Sequence, residues 1–180
     1  AFFKLEVDRT ELVKEGQEGL ASEIDKGLRS YENVLMNEIE VSNDRVAMFE
    51  ALKHLVVSGN VLLYLTDKGL KVYPLSKYVC KRDEVGNVIE IFTKESVNPR
   101  ALPADFIEKI RQKESYDAKN YEDDLDIYTC IKRFNDDVIW HQECKGEIIP
   151  DTQGQSKEEV SPWIPLRFIR VDGEDYGKAL

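Results

Sequence analysis

The sequence is short of the residues and patterns that carry most enzymatic chemistry. Among 180 residues there are two histidines, His54 and His141, and three cysteines, Cys80, Cys130 and Cys144. No glycine-rich phosphate loop of the Walker or GxGxxG kind occurs. There is no GxSxG either, which removes a nucleophile elbow. Three widely spaced cysteines, an odd number, make no disulfide framework, and a reducing cytoplasm is their simplest setting. No apolar run approaches the length of a membrane span. The first residues, AFFKLEV, lack the basic region and cleavage site of a signal peptide. They also lack an initiator Met, and the last residues, YGKAL, end without a polar tail. Both ends read as cut from a longer polypeptide. Internal repeats and low-complexity tracts are missing too. Positive charge is in deficit: 25 Lys and Arg against 35 Asp and Glu leave a net charge of −10. Nucleic-acid binders usually carry net positive patches. This balance therefore argues against a surface that grips phosphates, but not against one that lets DNA pass.

What is present is an ordinary globular composition, 42% apolar and 33% charged, long enough for one substantial core or two small ones. Its centre is FEALKHLVVSGNVLLYL, Phe49 to Leu65. A helix is expected from an N-cap near Asn43 and Asp44, with Val46, Phe49, Leu52, Leu55 and Val56 drawing one apolar face. That helix reads as buried, so Leu52→Asp is expected to abolish folding by burying an unpaired charge. Gly59 suits the positive φ that stops a helix. The run Val61 to Leu65 fits a strand covered on both faces.

Ahead of this centre, Phe2 to Val7 reads as a short strand, and Asp8-Arg-Thr-Glu11 has the capping-box pattern before a helix over residues 9–17. A longer helix is expected from Leu20 to Val41, because Leu20, Ile24, Leu28, Tyr31, Leu35 and Ile39 step by three and four. That stripe reads as intrachain core, and the first third as an antiparallel helical pair joined by a short turn. After Leu65 the period changes. Turns at Thr66 to Gly69 and Asp83 to Asn87 separate strands at Leu70–Tyr73, Tyr78–Arg82 and Val88–Thr93, an antiparallel meander. A short helix from Ala104 to Lys113 turns Phe106, Ile107 and Ile110 inward, and residues 114–124 read as an exposed loop. Strands follow at Leu125–Phe134, Val138–Cys144 and Glu147–Ile149, with turns at Asn135-Asp136 and Lys145-Gly146. Asp151 to Ser161 reads as the least structured stretch. A last strand, Pro162 to Val171, enters through prolines that fit a sheet edge.

Candidate chemistry is thin. His141 and Cys144 have a His-x-x-Cys spacing with Cys130 on the preceding strand, but a zinc site usually shows two tight ligand pairs. The acidic run Glu122-Asp123-Asp124, with Asp126 beyond, could hold magnesium, yet it reads more simply as a solvated loop. His54 reads as a core or boundary residue, Lys81-Arg82 as a strand end, and Trp140 and Trp163 as core rather than base-stacking platforms. No catalytic, cofactor-binding or metal-ligating residue is expected, and no cofactor.

Three segments resemble the portal, or head-to-tail connector, proteins of short-tailed, podovirus-type bacteriophages. They are Phe49 to Leu65; the block Tyr78 to Ile89, with Arg82, Asp83, Gly86 and Asn87; and Pro162, Ile164, Pro165, Arg167, Arg170, Asp172, Gly173, Glu174, Tyr176 and Gly177. Lys178-Ala179-Leu180 departs slightly from the usual ending, and residues 114–124 and 150–161 match least. The resemblance implies a fragment of the wing region of a non-enzymatic ring subunit, typically one of twelve, at a capsid vertex. It implies a terminase motor, capsid, scaffold and tail proteins as partners, double-stranded DNA passing through the channel without sequence-specific binding, and no membrane. It places the protein in the virion, and in the host cytoplasm during assembly. Arg167 or Arg170 is expected to pair with Glu174 or a neighbouring subunit's acid, and Gly173 and Gly177 to permit a turn into the stem. The fold expected is α+β: residues 1–66 a helical layer with the first strands, residues 67–180 a mostly antiparallel sheet or small barrel with one short helix. Competing readings are a metal-dependent phage nuclease or hydrolase using Asp123, Asp124 and Asp126, and an adaptor module that forms no ring.

Overall fold

In the computed structural model, residues 4–6, 18–42, 44–113 and 123–180 are described. The chain divides into two compact units, one running to Ala47 and the other beginning at Met48. In the first unit, helix α1 spans Glu18–Val41, as its three-and-four spacing predicts. Its stripe is not the core expected of it: Tyr31 is 67% exposed, and Val34 and Leu35 are exposed beside it. Periodicity identifies an apolar face but not what covers it. The Leu5 amide donates to Glu32 Oε1 of this helix at 2.5 Å. The expected 9–17 helix and its capping box lie outside the described residues. Of the expected first strand, only residues 4–6 are described, and they are not strand.

Helix α2, Asp44–Ser58, ends where the sequence places its stop. The Gly59 amide donates to Leu55 O at 2.9 Å, and Gly59 takes φ +72°. Here too the expectation of a buried helix fails. Only Ala51 is fully covered, whereas Phe49 is 55% and Leu52 48% exposed. A single small residue and the half-buried Leu55 make the contact; the larger side chains point away from it.

Strands β1 (Asn60–Thr66), β2 (Gly69–Pro74) and β9 (Trp163–Arg167) form a three-stranded antiparallel sheet in the order β2-β1-β9. β9 lies at its edge, where Pro165 withholds no central ladder bond. A second sheet runs β3 (Tyr78–Arg82), β4 (Val88–Val97), β5 (Leu125–Phe134), β6 (Asp137–Cys144) and β7 (Glu147–Ile148), all antiparallel neighbours. Both sheets are open, so the α+β expectation holds without closure into a barrel. Helix α3, Ala104–Lys113, matches the sequence reading in both bounds. One correction concerns Asp151 to Ser161. Strand β8 (Gly154–Lys157) lies here, paired to the first half of β6, followed by a 3₁₀ turn at Glu158–Val160. Its side chains are polar, but backbone pairing needs no apolar pattern, and the lack of a side chain at Gly154 is filled by the Trp140 indole.

β1 is covered on both faces, as its unbroken apolar run requires. Val61 and Leu63 pack with Ala51 of α2, while Leu62 faces the second sheet. Between the sheets lie Leu62, Tyr73 and Trp163 from one and Tyr78, Cys80, Ile91, Ile131 and Val138 from the other. Trp163 stacks on Tyr64 with ring centroids 3.8 Å apart and meets Trp140 edge-on at 6.4 Å. Farther along, Phe106, Ile107 and Ile110 of α3 pack on Leu125, Ile127, Cys144 and Ile149.

Candidate functional site

The two sheets are tied at one corner by residues from three separated stretches. β3 ends in a register shift between Lys81 and Arg82, which re-aims the Arg82 side chain out of the ladder. Asp83 then builds the turn. Its carboxylate accepts from the Asn87 amide at 2.7 Å and from Asn87 Nδ2 at 2.8 Å. The Asn87 side-chain bond is the main reason its carboxyl titrates lower than an ordinary aspartate. Gly86 closes the turn at φ +95°.

Arg82 reaches across from this turn. Nη1 donates to Gly86 O at 2.9 Å, Nη2 to Pro165 O of β9 at 3.1 Å, and Nε to Asp175 O at 3.1 Å. Its own backbone amide donates to Asp175 Oδ1 at 2.7 Å, and Lys81 Nζ approaches Oδ2 at 3.2 Å. The Arg82 amide, and then Lys81, hold the Asp175 carboxyl below the usual carboxylate range. One guanidinium thus bridges β9, the β3–β4 turn and the segment after β9, a geometry that the planar fork of arginine permits and a lysine does not.

Beyond β9 the chain folds back on itself. Ile169 and Lys178 exchange backbone hydrogen bonds at 3.2 and 3.0 Å, with Gly173 at φ +77° in the bend. Arg167 Nη1 donates to Glu174 O at 2.9 Å, Arg170 Nε stands 3.3 Å from Asp172, and Arg170 Nη2 donates to Val85 O. The ion pair expected between one of these arginines and Glu174 is not formed: Arg167 reaches only the Glu174 backbone carbonyl, and the carboxylate stands 3.7 Å from Lys178 Nζ. Burial, then the neighbouring Arg82 and Arg170, push the Arg167 guanidinium down from its ordinary value. Tyr176 Oη accepts from the Cys80 amide at 3.0 Å. Asn60 clasps Gly177 on both sides: Nδ2 donates to Gly177 O at 2.8 Å, and the Gly177 amide donates to Oδ1 at 2.7 Å. A Cβ at Gly177 would lie 2.8 Å from Arg167 Cβ, and one at Gly59 would lie 2.4 Å from the Lys178 carbonyl carbon. Both glycines are required by backbone approach.

This corner holds no nucleophile next to a base. Its arginines are engaged largely by backbone carbonyls, and these bonds tie the two sheets together. The other sequence candidates stay dispersed. Asp123 and Asp124 are exposed, Asp126 is neutralised by Lys94 at 2.6 Å, and Glu122 lies outside the described residues. Cys144 points into the α3 core on the face of β6 opposite His141, which breaks the His-x-x-Cys idea. No disulfide joins the three cysteines. His54 sits half-buried, 3.7 Å from Glu50. Trp140 and Trp163 are occupied by packing. A cleft of about 140 Å³ beside Trp163 and the Arg133–Glu158 pair falls below the roughly 300 Å³ of small-molecule sites. Sequence reasoning reads Arg82 only as a strand end and part of a turn, and it misses the pairing with Asp175 because the two lie 93 positions apart. The available signal was that both fall in segments that carry the family resemblance.

Comparison with known proteins agrees with the geometry. A family model described as "Bacteriophage head to tail connecting protein" matches residues 1–180. The portal protein of Escherichia phage T7 is 38% identical over 170 residues, covering 90% of this chain and 31% of that protein. That of Enterobacteria phage T3 is 36% identical over 169 residues, with the same shares. That of Enterobacteria phage SP6 is 28% identical over 151 residues, 83% of this chain and 29% of the relative. The chain thus spans about a third of the length of the curated relatives it matches.

Proposed function

The chain belongs to the bacteriophage head-to-tail connecting protein family, and from that premise we propose that it is the wing-region part of a structural portal subunit. In this reading the complete polypeptide closes into a ring of about a dozen copies at one capsid vertex. A terminase motor drives DNA through that ring into the capsid, and the DNA leaves through the tail. The partners are capsid, scaffold and tail proteins, met in the host cytoplasm during assembly and kept in the virion. The subunit catalyses nothing.

The observation that carries this reading is the corner joint. Two of the three segments that resemble the family, the block with the Arg82–Asn87 turn and the Pro162–Gly177 stretch, are hydrogen-bonded to each other through Arg82 and Asp175. They serve architecture, with no reacting group between them. The net charge of −10 suits a channel component, because a weakly repulsive wall lets DNA slide where a basic one would retain it. No helix among the described residues is long and apolar enough to cross a membrane. Gly173 and Gly177 shape the approach to the next segment of the subunit.

Native mass spectrometry with negative-stain imaging of the full-length protein tests the proposal. Closed rings of about a dozen subunits are expected. A monomer at every salt concentration overturns the ring reading in favour of an adaptor. Magnesium-dependent cleavage of DNA, lost on changing Asp123, Asp124 and Asp126, overturns the structural reading in favour of a nuclease.

A further inference from the structure

The pleat of the second sheet assembles a ligand set that residue spacing conceals. β5 and β6 pair with Cys130 directly opposite His141 and Tyr128 opposite Glu143. Residues two apart share a face, and so do cross-strand partners. Cys130, His141 and Glu143 therefore stand together on the face turned away from Trp163 and the inter-sheet core. The opposite face between them is marked by Gln142 Nε2 donating to Thr129 Oγ1 at 3.3 Å. One thiol, one imidazole and one carboxylate oxygen lie within 4.8 Å of one another, with His141 Nε2 4.0 Å from Glu143 Oε2.

We propose that Cys130, His141 and Glu143 form a zinc site on the outer face of the five-strand meander. The donor set argues for that ion. A thiolate and an imidazole suit a borderline-soft cation, whereas magnesium and calcium demand a shell of oxygens that a single carboxylate does not supply. Zinc takes sulfur at about 2.3 Å and nitrogen or oxygen at about 2.0–2.2 Å, so ligand atoms around it stand roughly 3.3–3.6 Å apart. The present spacings close to that by about 1 Å of side-chain rotation, with no movement of the strands. The scaffold is stiff, since β5 is hydrogen-bonded to β4 along one side and β6 along the other.

Access and competition also favour it. The Cys130 thiol lies beneath, 6% exposed, while His141 and Glu143 are about one-third exposed above it, leaving a fourth coordination position toward solvent. The nearby ammoniums are engaged elsewhere: Lys94 with Asp126 at 2.6 Å, and Lys132 over the Phe92 ring at 5.8 Å. Among the described residues no lysine or arginine forms an ion pair with Glu143. This inference stands apart from the ring reading, because it uses neither the corner joint nor any contact with another copy.

Cobalt titration of the full-length, metal-stripped protein, followed by absorption, tests it, with equilibrium dialysis against zinc for stoichiometry. The expected result is one equivalent per chain, a thiolate-to-cobalt charge-transfer band and the visible bands of a tetrahedral ion. Cys130→Ser should remove the charge-transfer band, and Cys144→Ala should keep it. His141→Ala and Glu143→Gln, both at the surface and tolerant of folding, should each weaken zinc binding by about tenfold or more. They keep the test decisive if Cys130→Ser folds poorly. No charge-transfer band in the wild type, a band that persists without Cys130, or unchanged affinity in both surface variants overturns the site.

Discussion

Arg82 shows how much of a fold can rest on one side chain. Its three side-chain hydrogen bonds reach three backbone carbonyls that no secondary structure satisfies. Arg82→Ala is expected to cost about 3 kcal/mol in urea denaturation, because charge-assisted bonds are lost and carbonyls are left short of donors. Arg82→Lys should recover only a small part of it, and full recovery would show that charge, not the fork, is what matters. Asp175 adds a pH dependence. Its folded-state pKa is depressed by the Arg82 amide and Lys81. Its contribution is therefore complete above the unfolded value of about 3.9 and is lost as pH falls through the lower folded value. An acid-unfolding series should show a shallower loss of stability below about pH 4 in Asp175→Asn than in the wild type. Parallel curves would remove Asp175 from the acid response. At this scale the sequence was least legible. A single chain names its arginines and acids but does not pair residues 93 positions apart.

Elements were far more legible, and the reasons are specific. The bounds of β3, β5 and α3 agree with the sequence reading because turn formers flank them. Asn135 and Lys145 adopt the left-handed region where hairpin turns were expected. β8 was missed because Gly154-Gln-Ser-Lys157 offers no alternation for an apolar pattern to reveal. The zinc trio was obscured for a related reason: spacing along the chain pairs His141 with Cys144, whereas a pleat pairs it with Glu143. The helices exposed a different limit. Their apolar stripes are real, but Tyr31, Phe49 and Leu52 remain exposed. Leu52→Asp, expected from sequence to abolish folding, should now cost less than about 1 kcal/mol. Ala51→Asp, at 0% exposure between α2 and β1, should give insoluble protein or lose about 3 kcal/mol or more. Soluble expression and urea denaturation of the pair distinguish the two helical faces, and the reverse ranking would mean that α2 is rotated.

For the molecule as a whole, the α+β class was readable from period and punctuation, but the strand pairing was not: β2 and β3, expected in one meander, lie in two different open sheets. Their separation depends on β9 returning to β1 across most of the chain. That return has a consequence in time. Asn60 and Gly177 are 117 positions apart, yet each holds the other on both sides. A ribosome adding about 5–20 residues per second needs on the order of ten seconds to supply the second partner after the first. Until β9 arrives, the edge of β1 that it covers has no strand partner. The yield of synthesis is thus expected to turn less on the hairpins of the meander, which join near neighbours, than on how long the open edge of β1 waits for β9 without meeting the same edge of another copy.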